Sequence, residues 1–306
     1  MIPDTPNAAE RHDADRKAVE RELGAQYQVV RSLGSGAAGV VYLARDRVLH
    51  RLVAIKVLRA ELAGLEEERE RFRDEARLSV RLSHPGLVPI YTVGETPSLV
   101  YTIMQYVDGG SLADQVRQNG RATVYETLRV LLELAEVLDY VHRQGVVHRD
   151  IKPENVLLAG TGPTARPVLG DFGVAAQPYR DRGVGHEPLV AGTAHYMSPE
   201  QLWGEYDVDR RSDIYSLGVL GYRLLAGVVP YAGPNAAAIA ARRATAPHVP
   251  LRAAAPHVPA PLCAVVERCL EHDPNDRWRN ARELSTALVR AGDRRPRWVR
   301  WMLRET

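Results

Sequence analysis

The glycine-rich run Gly34-Ser35-Gly36-Ala37-Ala38-Gly39 leads into a strand pattern rather than a helix, and this excludes most folds that use such a loop. Glycines spaced in this way let backbone N–H groups approach phosphate oxygens with no Cβ in between. In a dinucleotide-binding βαβ unit the third glycine opens a helix, and an acidic residue follows about 20 residues on. Here Gly39 continues as VVYLARD, and the loop is preceded by YQVVRSLG; both runs read as strands. The loop therefore caps a β-hairpin. It is not a strand-to-helix phosphate loop either, because Val40 stands where such a loop needs lysine.

The β pattern continues in RLVAIKVLRA. Residues 61–83 are strongly charged, with Leu65, Phe72, Ala76 and Val80 at helical spacing, so a helix is expected that ends before Pro85. LVPIYTVGE and LVYTIMQYV then read as two further strands. After Gly109-Gly110 the chain turns helical, first in SLADQVRQ and then in TVYETLRVLLELAEVLDYVHRQG, with Gly145 placed as a C-cap. Short strands are expected around Val156–Leu158 and Val168–Leu169, and mostly helix from Pro199 onward. The fold class is α+β: a small β-rich lobe with one large helix, then a larger, mainly helical lobe. Residues 1–26 read as a charged extension, helical around Asp15–Leu23, without caps or a core pattern. The main domain is expected over 27–291, split into 27–104, a connecting 105–109 and 110–291. A basic tail, 292–306, follows it.

Composition narrows the function. A formal charge of +2 gives no case for nucleic acid. The N-terminus lacks the apolar core of a secretory signal. The apolar stretch Ile214–Ala232 contains Arg223 and Pro230 and reads as a buried helix, not a membrane span. Cys263 and Cys269 fall on different faces of an expected helix and read as reduced thiols, which places the protein in the cytoplasm. Of 40 basic residues only Lys17, Lys56 and Lys152 are lysine. Phenylalanine occurs twice, as Phe72 and Phe172. In a chain so biased to arginine, a retained ammonium marks a position where a wide planar guanidinium does not serve. Chance survival is the rival reading.

Two of these lysines fall in motifs. In Val53-Ala54-Ile55-Lys56, strand alternation puts Ala54 and Lys56 on one face, with room for a flat ring beside a cation for phosphate. In His148-Arg149-Asp150-Ile151-Lys152-Pro153-Glu154-Asn155, a loop between helix and strand offers a carboxylate to orient a hydroxyl, a cation for a phosphoryl group and an amide oxygen for a metal. Asp171-Phe172-Gly173 adds a second hard oxygen ligand after the next strand.

These motifs, in this order, resemble the eukaryotic-type protein kinase family over about Tyr27 to Ala291. Lysine two residues after Asp150 resembles the serine/threonine branch, and the Arg-, Ala- and Pro-rich composition suggests a bacterial member. The resemblance implies a bilobal fold and transfer of the ATP γ-phosphoryl group to protein serines and threonines, autophosphorylation included. It implies that Gly34, Ser35, Gly36 and Gly39 cover the phosphates, and that Lys56 binds them while pairing with Glu75. Leu33, Val41, Ala54 and Leu157 would sandwich adenine, with Met104 as gatekeeper and the backbones of Gln105 and Val107 at its edge. Asp150 would be the catalytic base, with Lys152 on the γ-phosphoryl and Thr193 bonded to both. Asn155 and Asp171 would hold Mg²⁺, with Mn²⁺ as the alternative. Glu200 would pair with Arg277, and Asp213 would anchor the backbone of the loop. His148 reads as a packing residue.

The departures concern control. Ser198 stands for the usual alanine. Between Gly173 and Thr193 there is no serine or threonine, and Tyr179 is the only hydroxyl, so a phosphate pairing with Arg149 is not available there. Either Glu187 or no anion at all is expected to order the segment; Glu187 as a plain solvated acid is the rival. The tail RRPRWVRWMLRET admits contact with an anionic membrane, packing on the domain, or docking of a partner. The chain is expected to be a monomer or transient dimer. A nucleotide-responsive scaffold and a small-molecule phosphotransferase are the competing functions. Intact Lys56, Asp150, Asn155 and Asp171 weigh against the first, and GTAHYMSPEQ against the second.

Overall fold

The computed structural model describes residues 8–36, 39–96, 98–171, 191–204 and 208–293. It forms two units: Met1–Ser83 with Val88–Tyr106, and His84–Leu87 with Val107–Thr306.

The first unit begins with α1 (Ala8–Leu23), followed by β1 (Tyr27–Ser35), β2 (Gly39–Asp46) and β3 (Arg51–Leu58). Next come α2 (Ala60–Ala63), α3 (Glu66–Arg81), β4 (Ile90–Glu95) and β5 (Val100–Gln105). The five strands make one sheet in the order β1-β2-β3-β5-β4, with every neighbouring pair antiparallel. The glycine-rich loop caps the β1–β2 hairpin, as its sequence context requires. Alternation along β3 turns Val53, Ile55 and Val57 to one face, where each is almost wholly buried.

That face is covered by α1. Asp15, Val19 and Leu23 recur at four-residue intervals and are all buried, so they form one stripe of the helix. Val19 and Leu23 share a core with Ile55, Tyr42 and Ile103. Burial, and then the charge of Asp15, push the Tyr42 phenol up to about 12. At the end of the helix, Arg21 Nη2 donates to Ser98 Oγ (2.9 Å), and Ser98 Oγ donates to Glu22 Oε1 (2.8 Å). The N-terminal extension is thus a helix of 16 residues that completes the core of the unit. Lys17, by contrast, makes an exposed pair with Asp13 among the described residues, the kind that contributes little.

The single helix expected over 61–83 is divided between α2 and α3, which part at Gly64-Leu65. Its apolar face also differs from the expectation. Phe72, Ala76 and Ser79 are buried, whereas Leu65 and Val80 are exposed.

The second unit contains α4 (Leu112–Asn119), α5 (Val124–Arg143), β6 (Val156–Ala159), β7 (Arg166–Leu169) and α6 (Ala191–Ala194). It continues with α7 (Pro199–Trp203), α8 (Arg210–Ala226), α9 (Ala236–Thr245), α10 (Leu251–Ala254), α11 (Ala260–Cys269) and α12 (Ala281–Asp293). Capping boxes start α4 at Ser111, α5 at Thr123 and α7 at Ser198. Helix α8 is buried on nearly all sides, as expected for the first part of the Ile214–Ala232 stretch. It ends at Ala226, where Gly227 takes a left-handed cap conformation, and Val228 beyond it is exposed. A Cβ on its Gly218 would lie 2.4 Å from that of Cys269, so glycine is what permits α8 and α11 to pack so closely. Among the described residues no helix is long and apolar enough to cross a membrane. Both cysteines are buried and free, and burial pushes the Cys269 thiol up to about 12.

Candidate active site

On the sheet of the first unit, register decides which side chains share a face. Val41 lies opposite Lys56, and Lys56 opposite Thr102; Ala54 lies opposite Met104. Residues opposite one another in an antiparallel pair point the same way, so Val41, Ala54, Lys56 and Met104 line one face. Leu33 is half-buried at an irregularity of β1, and Gln105 is exposed at the end of β5. Lys56 Nζ donates to Glu75 Oε1 at 2.9 Å, both side chains being mostly buried. The rival acids of α3 lie elsewhere: Glu70 is exposed, and Asp74 pairs with Arg77 at the surface.

The hairpin tip is shaped by its glycines. A Cβ on Gly39 would sit 2.2 Å from the Val57 carbonyl oxygen, so no other residue fits there. Gly34 and Gly36 face open space. Gly36 N–H donates to the Gly39 carbonyl (2.8 Å), and the Arg59 guanidinium donates twice to the Gly36 carbonyl (3.0 and 2.7 Å). Ser35 is exposed at the tip.

In the second unit the loop between α5 and β6 gathers four of the expected residues. Lys152 Nζ donates to Asp150 Oδ2 at 2.8 Å and to Thr193 Oγ1 at 3.1 Å. Asn155 Nδ2 donates to Asp150 Oδ2 (2.7 Å) and to the Asp150 carbonyl (2.8 Å). Among the described contacts, Thr193 meets Asp150 through Lys152 rather than directly. Asp171 follows β7, and Gly170 N–H donates to the Asn155 carbonyl at 2.9 Å, so Asn155 and the Asp171 backbone are neighbours. Val107 is buried, and Leu157 is half-buried on β6.

Arg149 and Asp171 have φ of +67° and +50°, values that side-chain-bearing residues seldom adopt. The surroundings over-determine Arg149. The Asp213 carboxylate accepts from the backbone N–H groups of His148 and Arg149, both at 2.8 Å, and from His142 Nε2 at 2.8 Å. Gln201 Nε2 donates to the Arg149 carbonyl at 2.9 Å. His148 is fully buried, and its Nε2 lies 3.2 Å from the Gly170 carbonyl. Glu200 and Arg277 form a buried two-bond pair at 2.7 and 2.9 Å. Ser198 earns its place as the N-cap of α7, sharing its capping box with Gln201. The sequence reading missed His142, Gln201 and Arg243. Only Arg243 carried a usable signal, since it falls one turn from Ile239 on α9. Phe172, Gly173, Tyr179 and Glu187, and the tail from 294, lie outside the described residues.

Burial alone would raise the Asp213 carboxyl, but the hydrogen bond and charge of His142, then those of His148, hold it below the usual value. Burial likewise opposes ionisation of Glu200, and Arg277 with Ser212 overrides it. Burial lowers the imidazoles of His84, His148 and His195. Each of these groups binds fewer protons folded than unfolded, so stability rises with pH. Tm measured across a pH series is expected to fall first below about pH 6.5, where unfolded histidines protonate, and again below about pH 4, as Asp213 and Glu200 take up protons. A Tm that stays level from pH 7 to pH 3 would contradict this.

The sequence profile described as protein kinase domain matches residues 27–287. Serine/threonine-protein kinase PknB of Mycobacterium tuberculosis is 38% identical over 280 residues, covering 90% of this chain and 44% of PknB. Serine/threonine-protein kinase pkn2 of Myxococcus xanthus is 40% identical over 273 residues, covering 88% of this chain and 33% of the relative. The chain thus spans less than half the length of these relatives. The solved kinase domain of M. tuberculosis PknI superposes with a TM-score of 0.66 at 33% identity, covering 87% of this chain and 96% of that one. The chain belongs to the protein kinase domain family, among the eukaryotic-type serine/threonine kinases of bacteria.

Proposed function

We propose that this chain transfers the γ-phosphoryl group of ATP to serine and threonine hydroxyls of protein substrates. The observation that carries this reading is the bridge Lys152 makes between Asp150 and Thr193. Both described contacts of the Asp150 carboxylate fall on Oδ2, so Oδ1 is the oxygen offered to an acceptor hydroxyl, orienting it and taking its proton. Lys152 places a point charge where phosphoryl charge must be balanced. Lys56, held by Glu75, is assigned to the phosphates of the nucleotide, and Gly34 and Gly36 leave room for them.

The donor set fits a divalent cation. Asn155 commits its NH₂ to Asp150, which leaves its hard carbonyl oxygen for a metal, and Asp171 supplies a carboxylate. Among the described residues no group of three or more His, Cys, Asp or Glu forms a closed cage, so phosphates and water would complete the shell, as suits Mg²⁺. Mn²⁺ is the proposed alternative. Bound there, the ion would neutralise phosphate charge. Buried free thiols suit a reducing compartment, so the cytoplasm is the proposed location.

The test is transfer of ³²P from [γ-³²P]ATP to casein. Wild type is expected to label it on serine and threonine. Lys56→Met is expected to cut kcat roughly 10²-fold or more, as loss of one charge-stabilising donor does. ATP binding without transfer by wild type would favour a nucleotide-responsive scaffold instead.

A further inference from the structure

Among the described residues two arginines are buried, Arg277 and Arg243. Arg277 meets the Glu200 carboxylate. Arg243, on α9, has no carboxylate within ion-pair distance among the described residues. Its ligands are backbone carbonyls. Nη2 donates to the carbonyls of His195 (2.7 Å) and Ala194 (3.4 Å), and Nη1 donates to that of Met197. The rings of Tyr215 and Tyr231 flank the guanidinium at 5.1 and 5.5 Å. The one carbonyl omitted from this set, that of Tyr196, accepts from Ser216 Oγ at 2.8 Å.

Four successive carbonyls just after Thr193 are thus taken up by the core of the second unit, three of them by one side chain. Helix α6, which carries Thr193, ends at Ala194, so the Ala194 carbonyl is one that a short helix leaves without a partner, and the carbonyls of 195–197 belong to the non-helical turn that follows it. Burying a guanidinium with no counter-charge is costly. A lone arginine retained here is explained if its planar fork is what collects carbonyls from three residues. Lysine, with a single nitrogen, cannot span them.

We infer that Arg243 is a positioning residue that fixes the 193–197 backbone, and through it the place of Thr193 against Lys152 and of the surface met by the acceptor. This rests on the phosphotransfer reading for its kinetic consequence, though not for its structural one. The effect should fall on the acceptor and spare the nucleotide, because the contacts of Arg243 among the described residues are with this segment and the tyrosines behind it.

The experiment uses the full chain with Arg243→Ala and Arg243→Lys, read by two measurements. With casein as acceptor, kcat/KM for casein is expected to fall about tenfold or more, as misplacement by an ångström does, while KM for ATP stays within about twofold. Amide hydrogen exchange is expected to quicken over 193–198 while α8 and α12 stay protected. Arg243→Lys should lie between Arg243→Ala and wild type, and it carries both measurements if the alanine variant does not fold. Unchanged exchange over 193–198 in the variants overturns the inference. So does exchange that quickens throughout the second unit in Arg243→Lys, or a loss shared equally between casein and ATP. If wild type labels no casein, the phosphotransfer reading fails, and the exchange pattern alone then decides the role of Arg243.

Discussion

Replacing Asp150 with asparagine is expected to lower phosphoryl transfer by roughly 10²–10⁴-fold, the usual worth of a positioned general base, with almost no loss of stability. The two parts of this expectation have separate causes. Asparagine keeps the shape and an oxygen acceptor, but it cannot take a proton from the acceptor hydroxyl and no longer balances the charge of Lys152. Stability is spared because asparagine is nearly isosteric with aspartate and keeps a side-chain oxygen that can accept from Lys152 and Asn155. Asn155 also keeps its bond to the backbone carbonyl of residue 150, which the substitution does not touch. The measurements are ³²P transfer and Tm on the same preparation. Near-full transfer by the variant would remove Asp150 from its assigned role; a large fall in Tm would show that the residue is structural.

The opposite split is expected for Arg277→Met. Arg277 is almost wholly buried and donates to both Glu200 oxygens, and its remaining N–H groups meet the carbonyls of Glu271, His272 and Arg211. Removing it leaves the Glu200 carboxylate buried with Ser212 as its remaining hydrogen-bond donor among the described side chains. Breaking a buried pair from one side costs about 3–5 kcal/mol. For a unit of this size that is a fall in Tm of about 6–20 °C. Chemical denaturation gives the free energy directly. The paired replacement Glu200→Leu with Arg277→Met is expected to recover much of the loss, because no charge is then stranded. A single variant within about 1 kcal/mol of wild type would show that the pair is not holding the unit together.

How far the site could be read in advance depended on what each residue bonds to. Lys56, Asp150, Asn155 and Asp171 were legible because phosphate and metal chemistry demands those side chains at short, fixed separations within recognisable strands and loops. Helix α1 was not. Among its described side chains Val19 and Leu23 are the buried apolar ones, with Ala18 packed beside them, the third member of the buried stripe is Asp15, and so few apolar positions leave no clear periodic signal. Leu65 and Val80 misled for the opposite reason: apolar side chains at helical spacing are also found facing water. Arg243 and Gln201 act on backbone carbonyls, which every residue possesses, so no partner could be named from composition or spacing. The positive φ of Arg149 and Asp171 was equally hidden, because neither is the glycine or asparagine that usually signals such a turn.

The helix α1 lies wholly ahead of residue 27, where the family profile begins. Homology and foldability therefore have different starting points in this polypeptide. An expression fragment trimmed to the homologous boundary would begin on the first residue of β1 and would uncover Ile55, Tyr42 and Ile103 together, giving a greasy sheet surface prone to self-adhesion. The proper N-terminal limit for a fragment is set by where the core is sealed, upstream of Asp15.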